Sequence, residues 1–160
     1  NSTFNISSDA NTGAWAAEVF NNDLASSAVI KQANLGVGIV QPGDTIDISF
    51  AAKGEGVIGG VVFAEFFTEL DGGGTSSAEI LSGAPLMLTN DYQTFNFTTV
   101  AGPNTSGGIT LQFATVTGGA TGSTSVLFID DASVTVNIPE PASALMAAVR
   151  GRGVFAGRRR

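Results

Sequence analysis

The residue inventory rules out most catalytic chemistry before any fold is considered. The 160-residue chain has no histidine and no cysteine, which removes Ser-His-Asp and Cys-His nucleophilic sites, the usual zinc ligands and any disulfide framework. Only carboxylates are left to do acid–base work. The most suggestive pair, Glu65 and Glu69, lies four residues apart in an extended segment, so their backbones are separated by about 13 Å at roughly 3.3 Å per residue. Glycosidase carboxyls sit about 5–9.5 Å apart. The expectation is a protein that binds rather than reacts.

Binding chemistry is better represented. A sugar stacks its apolar side on an aromatic ring while amides and carboxylates take its hydroxyls, the mixture of apolar lining and few polar groups that small-ligand sites use. Across residues 61–70, Val61, Phe63, Glu65, Phe67 and Glu69 share one face of an extended strand, and Val62, Ala64, Phe66, Thr68 and Leu70 share the other. The second set makes the better core face. Phe63, Glu65, Phe67 and Glu69 then form an aromatic and acidic strip suited to a sugar or a neighbouring subunit, unless a further layer covers it. Tyr92, the only tyrosine, falls out of phase with Phe95 and Phe97, and either caps that strand or meets ligand.

Asp130 is anomalous for a different reason. An unbroken strand over residues 125–136 places Val126, Phe128, Asp130, Ala132, Val134 and Val136 on one face, which directs Asp130 into the core. A buried carboxylate is costly unless it is paired, hydrogen-bonded or metal-bound. Calcium, a hard ion with oxygen ligands, is one resolution, and a β-bulge at Asp130-Asp131 is another.

These residues must be positioned by strands. Ile46, Ile48 and Phe50 alternate with Asp47, Ser49 and Ala51; Phe95 and Phe97 alternate with Thr94, Asn96 and Thr98; Ile109, Leu111 and Phe113 alternate with Thr110, Gln112 and Ala114. Each is the pattern of a half-buried strand. Turn signals at Gln41-Pro42-Gly43-Asp44, Asp71-Gly72-Gly73-Gly74, Ala101-Gly102-Pro103-Asn104 and Thr117-Gly118-Gly119-Ala120 separate them. The spacing predicts an all-β, antiparallel β-sandwich with little helix. One domain of this length and apolar content buries a core without metal or disulfide support.

Charge narrows the partners. The net charge is −7, and Lys31 and Lys53 are the only cations before a basic tail, against thirteen acids from Asp9 to Asp131. Nucleic-acid phosphates and anionic lipid are repelled by such a body. Asn1, Asn5, Asn96 and Asn104 head N-x-S/T sequons, which mark glycosylation acceptors in a permissive host and identify no activity.

Ser27-Ala28-Val29, Gln41-Pro42-Gly43-Asp44-Thr45 leading into Asp47-Ile48-Ser49-Phe50, Tyr92-Gln93-Thr94-Phe95-Asn96-Phe97, and Phe128-Ile129-Asp130-Asp131-Ala132-Ser133-Val134 follow one another in an order that resembles jelly-roll carbohydrate-binding modules of the galactose-binding-like fold. The resemblance covers roughly residues 1–137. It implies a jelly-roll sandwich, a polysaccharide partner, and a packing role in the core for Trp15 of Thr12-Gly13-Ala14-Trp15, the residue that with Tyr92 makes up the chain's two sugar-stacking candidates of the usual sort. It also implies a structural calcium held by Asp130 together with Asn5, whose amide oxygen stands where an acid is common.

Residues 138–160 form a C-terminal extension. Pro139-Glu140-Pro141, the small apolar run 142–149 and the terminal Arg158-Arg159-Arg160 resemble the PEP-CTERM sorting tail of Gram-negative surface proteins. The resemblance implies export to the cell surface and an exosortase-type processing enzyme as partner. Arg150 and Arg152 interrupt the apolar run, each costing roughly 2.5–3.5 kcal/mol at a helix centre, so a stable membrane span is not expected. A first residue of Asn rather than Met suggests a removed leader. The combined expectation is a non-catalytic secreted protein of the cell surface or biofilm matrix that binds glycan. The alternative is a self-assembling subunit of an extracellular filament or surface layer, with a second copy as partner and the basic tail contacting an acidic body head to tail.

Overall fold

The computed structural model describes residues 1–137. Among the described residues there are nine strands and no α-helix: β1 (Ser2–Ser7), β2 (Ala16–Asn21), β3 (Ser27–Leu35), β4 (Thr45–Val57), β5 (Val61–Glu69), β6 (Thr75–Ile80), β7 (Gln93–Val100), β8 (Ile109–Val116) and β9 (Thr124–Asn137), with one 3-10 turn at Leu81–Gly83. They form two antiparallel sheets, a five-stranded one in the order β1-β2-β9-β4-β7 and a four-stranded one in the order β3-β8-β5-β6. The result is the expected jelly-roll sandwich, and the four predicted turns join β3 to β4, β5 to β6, β7 to β8 and β8 to β9.

Alternation decides what each sheet buries. Ile46, Ile48 and Phe50 of β4 and Leu127 and Ile129 of β9 point from the larger sheet toward Val62, Ala64 and Phe66 of β5 and Ile109, Leu111 and Phe113 of β8. Phe50 is the centre of this layer. Its ring stacks on Phe95 at 5.4 Å and meets Phe113 edge-on at 4.7 Å, bringing three strands from both sheets together.

Along one side the sandwich is closed by side chains. Thr99 Oγ1 of β7 donates to the Glu79 carboxylate of β6, and the Gly102 N–H donates to Thr68 Oγ1. On the other side, the fully buried Asn21 donates from Nδ2 to the Thr115 carbonyl and accepts from Ser26 Oγ, fastening β2 to the second sheet. That fastening is local, because β2 pairs with β9 only over residues 125–129. Beyond it a cleft opens between β3 and the C-terminal half of β9.

The phase of β9 corrects the expectation for Asp130. Ser125, Leu127 and Ile129 face inward, not Val126 and Phe128, and after the irregularity Val134 and Val136 turn inward. The cause is a β-bulge. Ser49 pairs with Ser133 and Ala51 with Asp130, so three steps on β9 match two on β4, with Asp131 at φ 51°. The extra residue resets the face, as a bulge does, and leaves Asp130 outside the core.

Candidate functional site

The bulge exposes two adjacent carboxylates, and the loop of residues 8–15 between β1 and β2 is tied to them. The Asn11 and Thr12 N–H groups donate to Asp130 Oδ2 at 2.8 and 3.0 Å, and the Asp131 N–H donates to Asp130 Oδ1 at 2.8 Å. Asn11 Nδ2 donates to Asp131 Oδ2 at 2.8 Å, and Thr12 Oγ1 to its Oδ1. From the outer face of the same sheet, Tyr92 donates its hydroxyl to the Asp9 carbonyl at 2.6 Å, and Lys53 forms an ion pair with the Asp9 carboxylate. The Lys53 ammonium also sits 5.0 Å from the Tyr92 ring and 5.2 Å from the Phe128 ring. β4, β9 and the approach to β7 thus all hold one short loop.

The loop presents Trp15. Its side chain is 64% exposed, which corrects the expectation that it packs in the core. Gly13 at φ 63° turns the chain just before it, a conformation that glycine adopts without a Cβ penalty. Trp15 borders a cleft of about 390 Å³ whose floor includes Ile30, Leu111, Phe113 and Ile129, and whose rim carries Lys31, Gln32, Asp130 and Asp131. A second groove of about 440 Å³ shares Gln32, Leu111 and Ala132 with it and continues past Leu35, Val134 and Val136. An exposed indole over an apolar floor with amide, ammonium and carboxylate groups at its edge can stack a ring and hydrogen-bond its substituents.

The other expected residues fall in two places. Phe63, Glu65, Phe67 and Glu69 are brought together on the outer face of the four-stranded sheet, half-buried, while Val62, Ala64, Phe66 and Thr68 are buried beneath. Glu65 is held there by Gln112 Nε2 at 2.6 Å. Tyr92 belongs to the opposite sheet and does not join that strip; it braces the Trp15 loop instead. Asn5 and Asp130 are not paired as ligands, because Asn5 lies opposite Glu18, which lies opposite Phe128.

The donors around Asp130 are N–H groups, which satisfy a carboxylate directly, whereas calcium is held by oxygen atoms. Among the described residues, no three His, Cys, Asp or Glu side chains converge into a metal-holding group. The residues present therefore do not fit a calcium site built on Asp130 and Asn5. The hydrogen bond from the Thr12 amide, opposed by partial desolvation and reinforced by the Asp131 and Asn11 amides, holds the Asp130 carboxyl below its ordinary range. A general acid needs the opposite shift.

The sequence offers Trp15 as a stacking candidate but favours a core position for it, whereas the structure puts it at the surface. The available signal was local: Asn11, Thr12 and Gly13 are turn formers, which places Trp15 at a loop end rather than in a strand. The sorting-tail residues Pro139, Glu140, Pro141, Arg158, Arg159 and Arg160 lie outside the described residues. No helix among the described residues is long and apolar enough to cross a membrane.

No protein-family model and no curated protein sequence matches the chain. Solved structures do match in fold. The enzymatically active domain of tailspike protein 4 from bacteriophage CBA120 superposes with a TM-score of 0.63 at 12% identity, over 85% of this chain but only 18% of the tailspike chain. The xylan-binding CBM22-1 domain of Paenibacillus barcinonensis Xyn10C gives a TM-score of 0.54 at 12% identity, covering 85% of this chain and 81% of that domain. The CBM22-1–GH10 modules of Clostridium thermocellum Xyn10B, solved with xylohexaose, give 0.57 at 18% identity over 86% and 25%. At these identities the likeness is one of fold: a jelly-roll sandwich shared with carbohydrate-binding modules and with part of a tailspike.

Proposed function

We propose that this chain is a non-catalytic polysaccharide-binding domain of an exported surface or matrix protein, with Trp15 as its stacking platform. One observation carries the reading: the only tryptophan is displayed in solvent by a loop that five hydrogen bonds to Asp130, Asp131 and Tyr92 tie to rigid strands. A pre-ordered platform avoids the entropy cost of ordering a loop on binding. The fold shared with a xylan-binding domain supports a glycan as the ligand class. Asp130, stabilised as an anion at the rim of the Trp15 cleft, suits hydroxyl recognition better than proton transfer.

Isothermal titration against a panel of plant and bacterial polysaccharides tests this. Binding to at least one neutral polysaccharide, weakened by about tenfold or more in Trp15→Ala, is expected, on the scale of the roughly 1–3 kcal/mol that a flat ring gains by stacking on one aromatic side chain in nucleobase complexes. Phe63→Ala is expected to bind as the parent does. Loss in Phe63→Ala with none in Trp15→Ala moves the site to the four-stranded face, and no binding to any member rejects the reading. The Pro139-Glu140-Pro141 triplet and Arg158-Arg159-Arg160 support export with exosortase-type processing, which mass spectrometry of protein recovered from the producing cell would register as a shortened C-terminus.

A further inference from the structure

We propose that β1 is a docking edge for a second copy of this chain, two copies pairing β1 against β1 antiparallel about Asn5. β1 is an edge strand of the five-stranded sheet, and its residues are exposed apart from half-buried Ser7. Phe4 and Ile6 lie on the core-facing side of that sheet, opposite Val19 and Ala17. Among the described residues no strand of the second sheet lies over them, and they remain 53% and 77% exposed. An uncovered apolar pair at a sheet edge is a template for further strand pairing.

The other edges are defended. β3 carries Lys31 and a register irregularity between Gln32 and Leu35, β6 carries Glu79 and one between Thr68 and Glu69 in its pairing with β5, and β7 is closed against β6 through Thr99 and Glu79. β1 has no charge, no proline and no irregularity in its six-residue register. On a chain with a net charge of −7, an uncharged edge is where two identical acidic molecules meet with least repulsion.

Hydrogen bonding fixes the register. The Asn22 N–H donates to the Asn1 carbonyl, so by antiparallel alternation the odd-numbered residues of β1 bond to β2 and Ser2, Phe4 and Ile6 direct their N–H and C=O groups to the free edge. Pairing centred on Asn5 sets Phe4 of each copy opposite Ile6 of the other in hydrogen-bonded positions. Pairing centred on Phe4 would set Ile6 against Ser2. The Asn5-centred register gathers both phenylalanines and both isoleucines on one face and makes a closed two-fold contact.

The register is directly readable because the chain has no cysteine. Asn5 faces Asn5 across the two-fold in a non-hydrogen-bonded position, where Cα atoms lie about 4.5 Å apart, within the roughly 4.4–6.8 Å that a disulfide spans. Full-length Asn5→Cys is expected to form a covalent dimer on mild oxidation. Thr3→Cys, whose two copies stand four residues out of register and about 13 Å apart, is expected to remain unlinked. Sedimentation of the parent chain should show mass rising toward twofold with concentration, and Ile6→Lys should stay monomeric with an unchanged circular-dichroism melt. A parent that is monomeric at every concentration, equal cross-linking of Thr3→Cys and Asn5→Cys, or undiminished dimer in Ile6→Lys each overturns the proposal.

Discussion

Tyr92 is the only phenol in the chain, so its ionisation can be followed without interference. Partial burial, followed by the carboxylates of Asp9, Asp130 and Asp131, pushes its pKa from 10.0 up to about 12, although Lys53 lies against its ring. The folded value exceeds the unfolded one, so the stabilisation is fully present below about pH 10 and is lost as pH rises through about 12. Titrating phenolate absorbance should give a midpoint clearly above that of free tyrosine, and Tyr92→Phe should lose the signal together with the bond to the Asp9 carbonyl. A midpoint at the ordinary value would show that Tyr92 does not brace the loop. Trp15 and Tyr92 together show the limit of reading single aromatics from sequence. Whether a ring packs, braces or stands in solvent depends on where a loop is tied down, and the ties here from Asp130 and Tyr92 come from more than eighty positions away.

At the level of elements, β4, β5, β7 and β8 were legible because strict alternation survives wherever one face of a strand is buried. β9 was legible as a strand, with a bulge at Asp130-Asp131 as one of two readings of its phase; the bulge is the one found, and its inserted residue moves every later side chain to the opposite face. Asp131 accepts φ 51° because aspartate tolerates the left-handed region better than most residues; the Asp130-Asp131 pair was the only mark of the bulge. β1 was opaque for another reason: whether the face that carries Phe4 and Ile6 is covered depends on how many strands the facing sheet contains. β4 and β9 also approach closely at Gly54, where φ is +147° and a Cβ would run into the Val126 carbonyl. Gly54→Ala is therefore expected to destabilise the fold by about 1–3 kcal/mol, read from urea unfolding. An unchanged midpoint would mean that the two strands can separate there without loss.

The whole molecule is an acidic sandwich closed by Thr99, Glu79 and Gly102 along one side and open beside Trp15 on the other. Its field disfavours polyanions, whereas stacking on an indole is indifferent to bulk salt. Affinity electrophoresis across ionic strengths of about 0.01 to 1 M, where screening lengths fall from roughly 30 to 3 Å, should leave retardation by a neutral polysaccharide unchanged. Tight binding of an acidic polysaccharide at the low end would contradict that picture of the site. The exposed position of Trp15 also governs how the protein is watched. As the sole indole it is already hydrated in the native state, so its emission lies near that of an unfolded chain and is open to collisional quenchers. Intrinsic fluorescence is thus suited to following ligand at the indole through quencher shielding while remaining nearly silent to global unfolding, and a melt followed by that signal alone would miss the loss of the sandwich.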